Sequence, residues 1–269
     1  MYDFSYHRPT SLQDAVSLLA KQPDAKPMSG GMSLLPSMKL RLSKWTDVVD
    51  LAAIPDLSGI REEAGHIIIG ARTRHVEVAT SALLHAKLPA LAELAEGIGD
   101  PLVRNRGTIG GSIANADPAA DYPSSVVALD ATIITTRREI AADAFFTGLF
   151  ETALAHDELI TAVRYKIPKR AAYMKFRHPA SRYAIVGAFV AQMEGAVRVA
   201  ITGAGPHVFR IAAYEDALTK TFSSAALDGV TPKLPSLNTD LHASADYRAH
   251  AVVEMVRRAV KAAAARKSI

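Results

Sequence analysis

The chain has 269 residues, 49% of them hydrophobic and 6% aromatic, enough to bury a sizeable core in one large or two ordinary domains. A net charge of +4 and a pI near 9.2, without a dense Lys/Arg run in the body of the chain, give no footing for nucleic-acid binding. Cysteine is absent, which excludes disulfides, thiol catalysis and iron–sulfur clusters held by this chain.

The N-terminus, MYDFSYHRPTSL, lacks an apolar signal core, and no apolar run approaches the ~18 residues of a membrane span, so a cytoplasmic protein is expected. Thr10-Ser11-Leu12-Gln13 resembles a capping box ahead of Leu12, Ala15, Leu18 and Leu19, which predicts a helix over 11–21 ended by Pro23. Lys26-Pro27-Met28 reads as a short strand entering Ser29-Gly30-Gly31-Met32-Ser33, and Leu34, Leu35 and Met38 as a helical turn. Ser33 is no nucleophile elbow, because Leu35 stands where the second glycine of G-x-S-x-G belongs. Strands are expected at 45–51, 56–60 and 66–69, the last two joined by a turn at 62–65. Helices are expected at 74–80 and 89–98, with His75 and Glu77 at the surface.

The stretch from Arg106 to Pro123, RGTIGGSIANADPAADYP, then concentrates glycine and small residues. Thr108-Ile109 reads as a strand end running into Gly110-Gly111, and 124–129 as a helical turn. Residues 131–136 and 139–140 form a hairpin around Arg137-Arg138. Asp143 can cap a short helix carrying Phe145 and Phe146, and 158–165 is a further strand. Ile167-Pro168-Lys169-Arg170 is the candidate linker, dividing the chain into 1–168 and 169–269. Beyond it, 172–178, 184–193 and 196–202 read as a three-stranded meander, and 209–220 and 247–267 as helices. The terminal cluster Arg257, Arg258, Lys261, Arg266 and Lys267 reads as a solvated helix face, with nucleic acid or membrane contact as the alternative.

The nine histidines are scattered without metal-ligand spacing, so no metal site is expected, and no residue pattern marks a catalytic group. Gly203-Ala204-Gly205 has the setting of a dinucleotide fingerprint, but Val208 stands at the third glycine and Pro206 removes an N–H, which makes it a turn. Arg106–Pro123 alone is equally a phosphate cradle or a surface Ω-loop. Two Gly-Gly turns in one predicted unit, each after a short β segment, can pinch a pyrophosphate between backbone donors and so point to a dinucleotide bound outside a Rossmann fold.

FSYHRPTSLQDAVSLL, MSGGMSLLPSMKLRL, VVDLAAIPDLSGI and GDPLVRNRGTIGGSIANADPAADYP, continued by DELITAVRYKIP and YMKFRHPASRYAIVGAF, resemble the FAD-binding (medium) subunits of molybdenum hydroxylases over essentially the whole chain. The resemblance implies an α+β fold: a two-part FAD-binding domain of the vanillyl-alcohol-oxidase type (about 1–58 and 59–168), then a small domain with a three-stranded antiparallel sheet and helices. It implies FAD contacts from Lys26, Pro27, Met28, Ser29, Gly30, Gly31, Met32 and Ser33, and from Thr108, Ile109, Gly110, Gly111, Ser112, Asn115 and Asp117. Ile98, Asp121, Ile160, Lys175 and Tyr183 fall on positions lining the flavin, although Ile160 is equally a core residue, Asp121 a helix cap, and Lys175 and Tyr183 strand surface. Met32 stands where relatives often carry Gln or Thr, which costs a side-chain hydrogen bond, and without His or Cys in the loops the FAD is expected to be noncovalent. The implied partners are a large molybdenum-cofactor subunit and a small subunit with two [2Fe–2S] clusters, in a dimer of heterotrimers. A lone flavin reductase or oxidase of the same fold, and a non-enzymatic assembly subunit, remain as alternatives.

Overall fold

The computed structural model describes residues 1–266. The fold is α+β, and its first layer is a small parallel sheet. Strands β1 (Ser5–His7) and β2 (Ala25–Met28) flank β3 (Asp47–Asp50), with helix α1 (Leu12–Lys21) joining β1 to β2 and α2 (Leu34–Lys39) joining β2 to β3. The Ser11 side chain caps α1 by accepting from the Asp14 amide, and Ala15 and Leu19 carry the helix's buried face. β1 is absent from the sequence reading: its three residues are largely exposed and carry no apolar alternation.

The second layer is a five-stranded antiparallel sheet with the order β4 (Ile60–Glu63), β5 (His66–Gly70), β10 (Ile160–Lys166), β6 (Thr132–Thr135), β7 (Glu139–Ala141). Between β5 and β6 (Thr132–Thr135) run six more helices: α3 (His75–Ala79), α4 (Ala82–Lys87), α5 (Pro89–Glu96), α6 (Pro101–Arg106), α7 (Ile109–Asn115) and α8 (Tyr122–Ala128). After β7 (Glu139–Ala141), a small hairpin of β8 (Phe146–Gly148) and β9 (Glu151–Thr152) precedes β10 (Ile160–Lys166). Asp143 does not cap a helix over the two phenylalanines: it lies in a single 3-10 turn, Ala142–Ala144, and its carboxylate instead receives Arg198 and Arg210.

The third layer is antiparallel: β11 (Arg170–Arg177), β12 (Ala184–Gln192), β13 (Val197–Thr202) and the short β14 (Phe209–Arg210). The expected meander therefore gains a fourth strand, and the predicted helix over 209–220 gives up its first residues to it, starting as α9 at Ala212–Lys220. α10 (Ala245–Ala265) follows; Lys267, placed by the sequence reading in this helix and in its basic cluster, lies outside the described residues. Arg257 pairs with Asp228, Arg258 with Glu254 and Arg266 with Glu93, so three members of that cluster are neutralised within the chain.

β12 is buried on both faces, and strand alternation sends its side chains into two cores. Phe189 and Ala191 join Tyr173 in the core under the five-stranded sheet, α5 and α8, whereas Val186, Ala188 and Val190 pack on Val252, Val256 and Val260 of α10. One face of the third layer thus closes the core of the second.

Candidate cofactor site

Both glycine pairs lie where the first and second layers meet. The turn 29–33 leaves β2 and enters α2, with Gly31 at φ +75°, a conformation glycine takes without steric cost. A Cβ on Gly30 would stand 2.2 Å from the carbonyl oxygen of Arg106 and 2.8 Å from Cα of Gly107, so the absence of a side chain there lets the two segments touch. The contact is sealed by Thr108 Oγ1, which donates to Ser29 Oγ at 2.8 Å.

Thr108 is extended and bridged antiparallel to Arg74, as a strand end would be, but the second pair that follows it is helical and not a loop. Thr108 is the N-cap of α7, its hydroxyl accepting from the Gly111 amide at 3.2 Å, and Gly110 and Gly111 form the first helical turn. This turn is built against the segment 71–75. Gly110 N donates to Ala71 O, Ile109 N to Thr73 O, and His75 N to Gly107 O, at 2.8, 3.1 and 2.9 Å. Ser112 N donates to Thr108 O. The amides of residues 109–112 are thus spent inside the protein, and the expectation of two equivalent donor loops gives way to an unequal pair. Among the described residues, the amides of Gly30, Gly31, Met32 and Ser33 donate no hydrogen bond. They form the open cradle, to which the second segment adds the Thr108 amide. Uncommitted N–H groups beside a helix start suit an anion.

His75 is buried at 4% exposure, not at the surface. Its Nε2 would stand 2.5 Å from a Cβ on Gly107, its ring lies 5.3 Å from that of Tyr122, and burial followed by the nearby Arg104 charge lowers its pKa to about 4. A neutral imidazole here fills the space beneath the second turn. Its i, i+3 spacing to Val78, also buried, was the one signal available in the sequence.

The other expected residues spread away from the turns. Lys26, Pro27 and Met28 pair along β3, and the Lys26 ammonium lies 4.9 Å from the Trp45 ring centroid. Met32, Ser33 and Asn115 are exposed, and Ile160 lies in the core. Ile98 sits in the turn between α5 and α6, where its carbonyl accepts from Arg104. Beyond Ala116 (φ +46°), Asp117 accepts from the Ala119 amide, and burial raises its pKa.

Asp121 is not a side-chain cap of α8. Its carboxylate, 5% exposed, stands 3.0 Å from the Lys175 ammonium, 7% exposed, and accepts from the Tyr173 hydroxyl. Lys175 also donates to Gly97 O at 2.9 Å. Desolvation raises the pKa of Asp121, opposed by Lys175 and Tyr173. Tyr183 is half exposed in the turn between β11 and β12, and Arg182 beside it, at φ +61°, donates to Gly99 O. Tyr173 escaped the sequence reading, although its i, i+2 relation to Lys175 puts both on one face of β11. Along the chain, α7, seven residues and about 10 Å long, and the loop 116–120 stand between the second turn and Asp121.

Residues 2–170 match the model of the FAD binding domain in molybdopterin dehydrogenase. The chain belongs to this family, the FAD-binding subunits of molybdenum-containing oxidoreductases, and FAD is its cofactor. It is 36% identical to the carbon monoxide dehydrogenase medium chain of Hydrogenophaga pseudoflava, across 98% of each, and 34% identical to the nicotine 6-hydroxylase medium subunit of Paenarthrobacter nicotinovorans, across 97% of each. Among solved structures, carbon monoxide dehydrogenase from Hydrogenophaga pseudoflava superposes with a TM-score of 0.90 at 38% identity over 99% of both chains. Quinoline 2-oxidoreductase from Pseudomonas putida 86 does so at 0.86 and 30%, over 98% of this chain and 97% of that one.

The glycine at 30, with its own uncommitted amide and the three that follow, fits a pyrophosphate. The Gly203-Ala204-Gly205 turn offers no comparable cradle. Gly203 N donates to Pro118 O, Gly203 O accepts from the buried Arg248, and Asn238 binds the carbonyls of Ala204 and Gly205. Among the described residues, no helix is long and apolar enough to cross a membrane and no group of acidic or His side chains could hold a metal.

Proposed function

We propose that this chain is the FAD-binding electron-transfer subunit of a multi-subunit molybdenum hydroxylase. The open turn at Gly30–Ser33, closed by the Ser29–Thr108 contact, carries the reading, because it is a neutral anion cradle in a chain that matches medium subunits from end to end. Gly30, Gly31, Met32, Ser33 and Thr108 hold the pyrophosphate through their backbone amides. The flavin ring lies toward Asp121, Lys175 and Tyr183, past the far end of α7. When bound, the FAD supplies one- and two-electron redox chemistry between the [2Fe–2S] clusters of a partner subunit and an external acceptor. Lys175 places positive charge beside the ring and so favours its reduced form.

The partners are a large molybdenum-cofactor subunit and a small iron–sulfur subunit, assembled as a dimer of heterotrimers in the cytoplasm. The absence of cysteine supports this division, since the chain cannot hold the clusters that feed it. The division of the chain at Pro168 belongs to the same reading, supported by a family match that ends at residue 170.

Purification of the native protein with whatever accompanies it tests the assembly: a yellow-brown complex containing molybdenum, iron and FAD is expected, and a colourless single chain would refute it. Lys175→Met tests the electrostatic role, with a lower flavin midpoint potential as the expected result.

A further inference from the structure

β11 brings two polar side chains, Tyr173 and Lys175, to one face, and both converge on the buried Asp121. The Lys175 ammonium has three N–H groups. One goes to Gly97 O and one to Asp121, which leaves the third for a ligand. The field that Lys175 exerts there depends on how completely Asp121 cancels it.

The Tyr173 hydroxyl enters at this point. Its hydrogen bond to Asp121 absorbs part of the carboxylate's charge, and at 5% exposure no bulk water competes for the role. The fold keeps a place for the hydroxyl. Gly187 lies directly across from Lys175 in the β11–β12 register, and a Cβ there would stand 2.3 Å from Tyr173 Oη.

We infer that Tyr173 is a positioning residue that, through Asp121, sets how strongly Lys175 acts on the flavin. The inference rests on the reading above that Lys175 lines the flavin site. Without the hydroxyl, Asp121 cancels Lys175 more completely, and the reduced cofactor loses part of its stabilisation.

The test compares midpoint potentials of the full chain loaded with FAD, as wild type, Tyr173→Phe, Lys175→Met and the double variant, with thermal melting of each apo-protein alongside. Tyr173→Phe should lower the potential in the same direction as Lys175→Met but by less, equivalent to a roughly three- to tenfold weaker preference for reduced over oxidised FAD. In the Lys175→Met background it should have no further effect. Gly187→Ala, which displaces the hydroxyl and keeps the ring, should reproduce the shift if Tyr173→Phe does not fold. Three results overturn the inference: additive shifts, a lowered melting temperature with an unmoved potential in Tyr173→Phe, or an unmoved potential in Gly187→Ala. If Lys175→Met itself leaves the potential unmoved, the placement of Lys175 at the flavin fails and the inference with it; if only Tyr173→Phe is silent, that placement stands.

Discussion

The two glycine turns look alike in the sequence and do different work in the fold. Gly30-Gly31 keeps its amides free and uses its missing side chains to let a neighbouring segment approach and to adopt a positive φ. Gly110-Gly111 spends its amides on the segment 71–75 and on Thr108, and its first glycine is required because a Cβ would enter Ala71. One turn is a donor surface and the other is the wall that holds it in place. A doubled glycine therefore reports close approach, and only the hydrogen-bond inventory tells whether the neighbour is ligand or protein.

The largest effect expected from this contrast is on the wall. In Gly110→Ala the new methyl would meet Ala71 Cβ at 2.6 Å and its carbonyl oxygen at 2.7 Å, backbone and short side chain that cannot swing away. A loss of about 3 kcal/mol in apo-protein stability is expected from denaturant unfolding, and an unchanged midpoint would remove the idea of a template.

The same wall should be acid-sensitive through His75, whose ordinary value of 6.5 falls to about 4 in the fold. The unfolded chain takes up this proton first, so stability is fully present above pH 6.5, is lost as pH falls toward 4, and changes no further below that. The shift corresponds to about 3 kcal/mol at most. Unfolding curves between pH 7 and 4 should show the slope in wild type and a shallower one in His75→Gln.

Gly30→Ala strikes the contact between the turns, 2.2 Å from Arg106 O. Here a fold cost of about 2 kcal/mol should accompany a weakening of FAD binding by about tenfold or more. Titration of apo-protein with FAD separates this variant from Gly110→Ala, whose main loss is stability; equal effects on both quantities in both variants would erase the distinction. The smallest effect is Thr108→Val, which deletes the α7 cap and the bond to Ser29. It should cost about 1 kcal/mol and slightly weaken FAD binding, as measured by the same titration.

Much of the fold was legible. Local signals placed α1, α5, α10, the β6–β7 hairpin and β11, β12 and β13 of the third layer near their observed positions, because caps, apolar periodicity and β-branched runs act within a few residues. Thr108 is the extended, bridged residue that its β-branched side chain suggests, but α7 after it was not legible: Ile109 followed by two glycines has poor helix propensity, and the helix forms because the segment 71–75 holds its first turn. β1 exists because β3 offers it a parallel edge, a pairing with no local signature. His75 was read as surface because the residue that encloses it, Gly107, is distant in sequence and has no side chain to betray the contact.

The sequence by itself determined the class of this protein: no cysteine for clusters of its own, two glycine turns in order, and flanking motifs that resemble FAD-binding medium subunits. Those are properties of residue identity, which survive translation into any correct fold. Only the tertiary structure decided that one turn keeps its amides uncommitted while the other spends them on its neighbours, that Asp121 holds Lys175 instead of capping α8, and that Tyr173 completes the group. Each of these depends on which partner takes a given N–H or carboxylate oxygen, and those partners lie far off along the chain: 79 residues for Thr108 and Ser29, 54 for Lys175 and Asp121, and 52 for Tyr173 and Asp121.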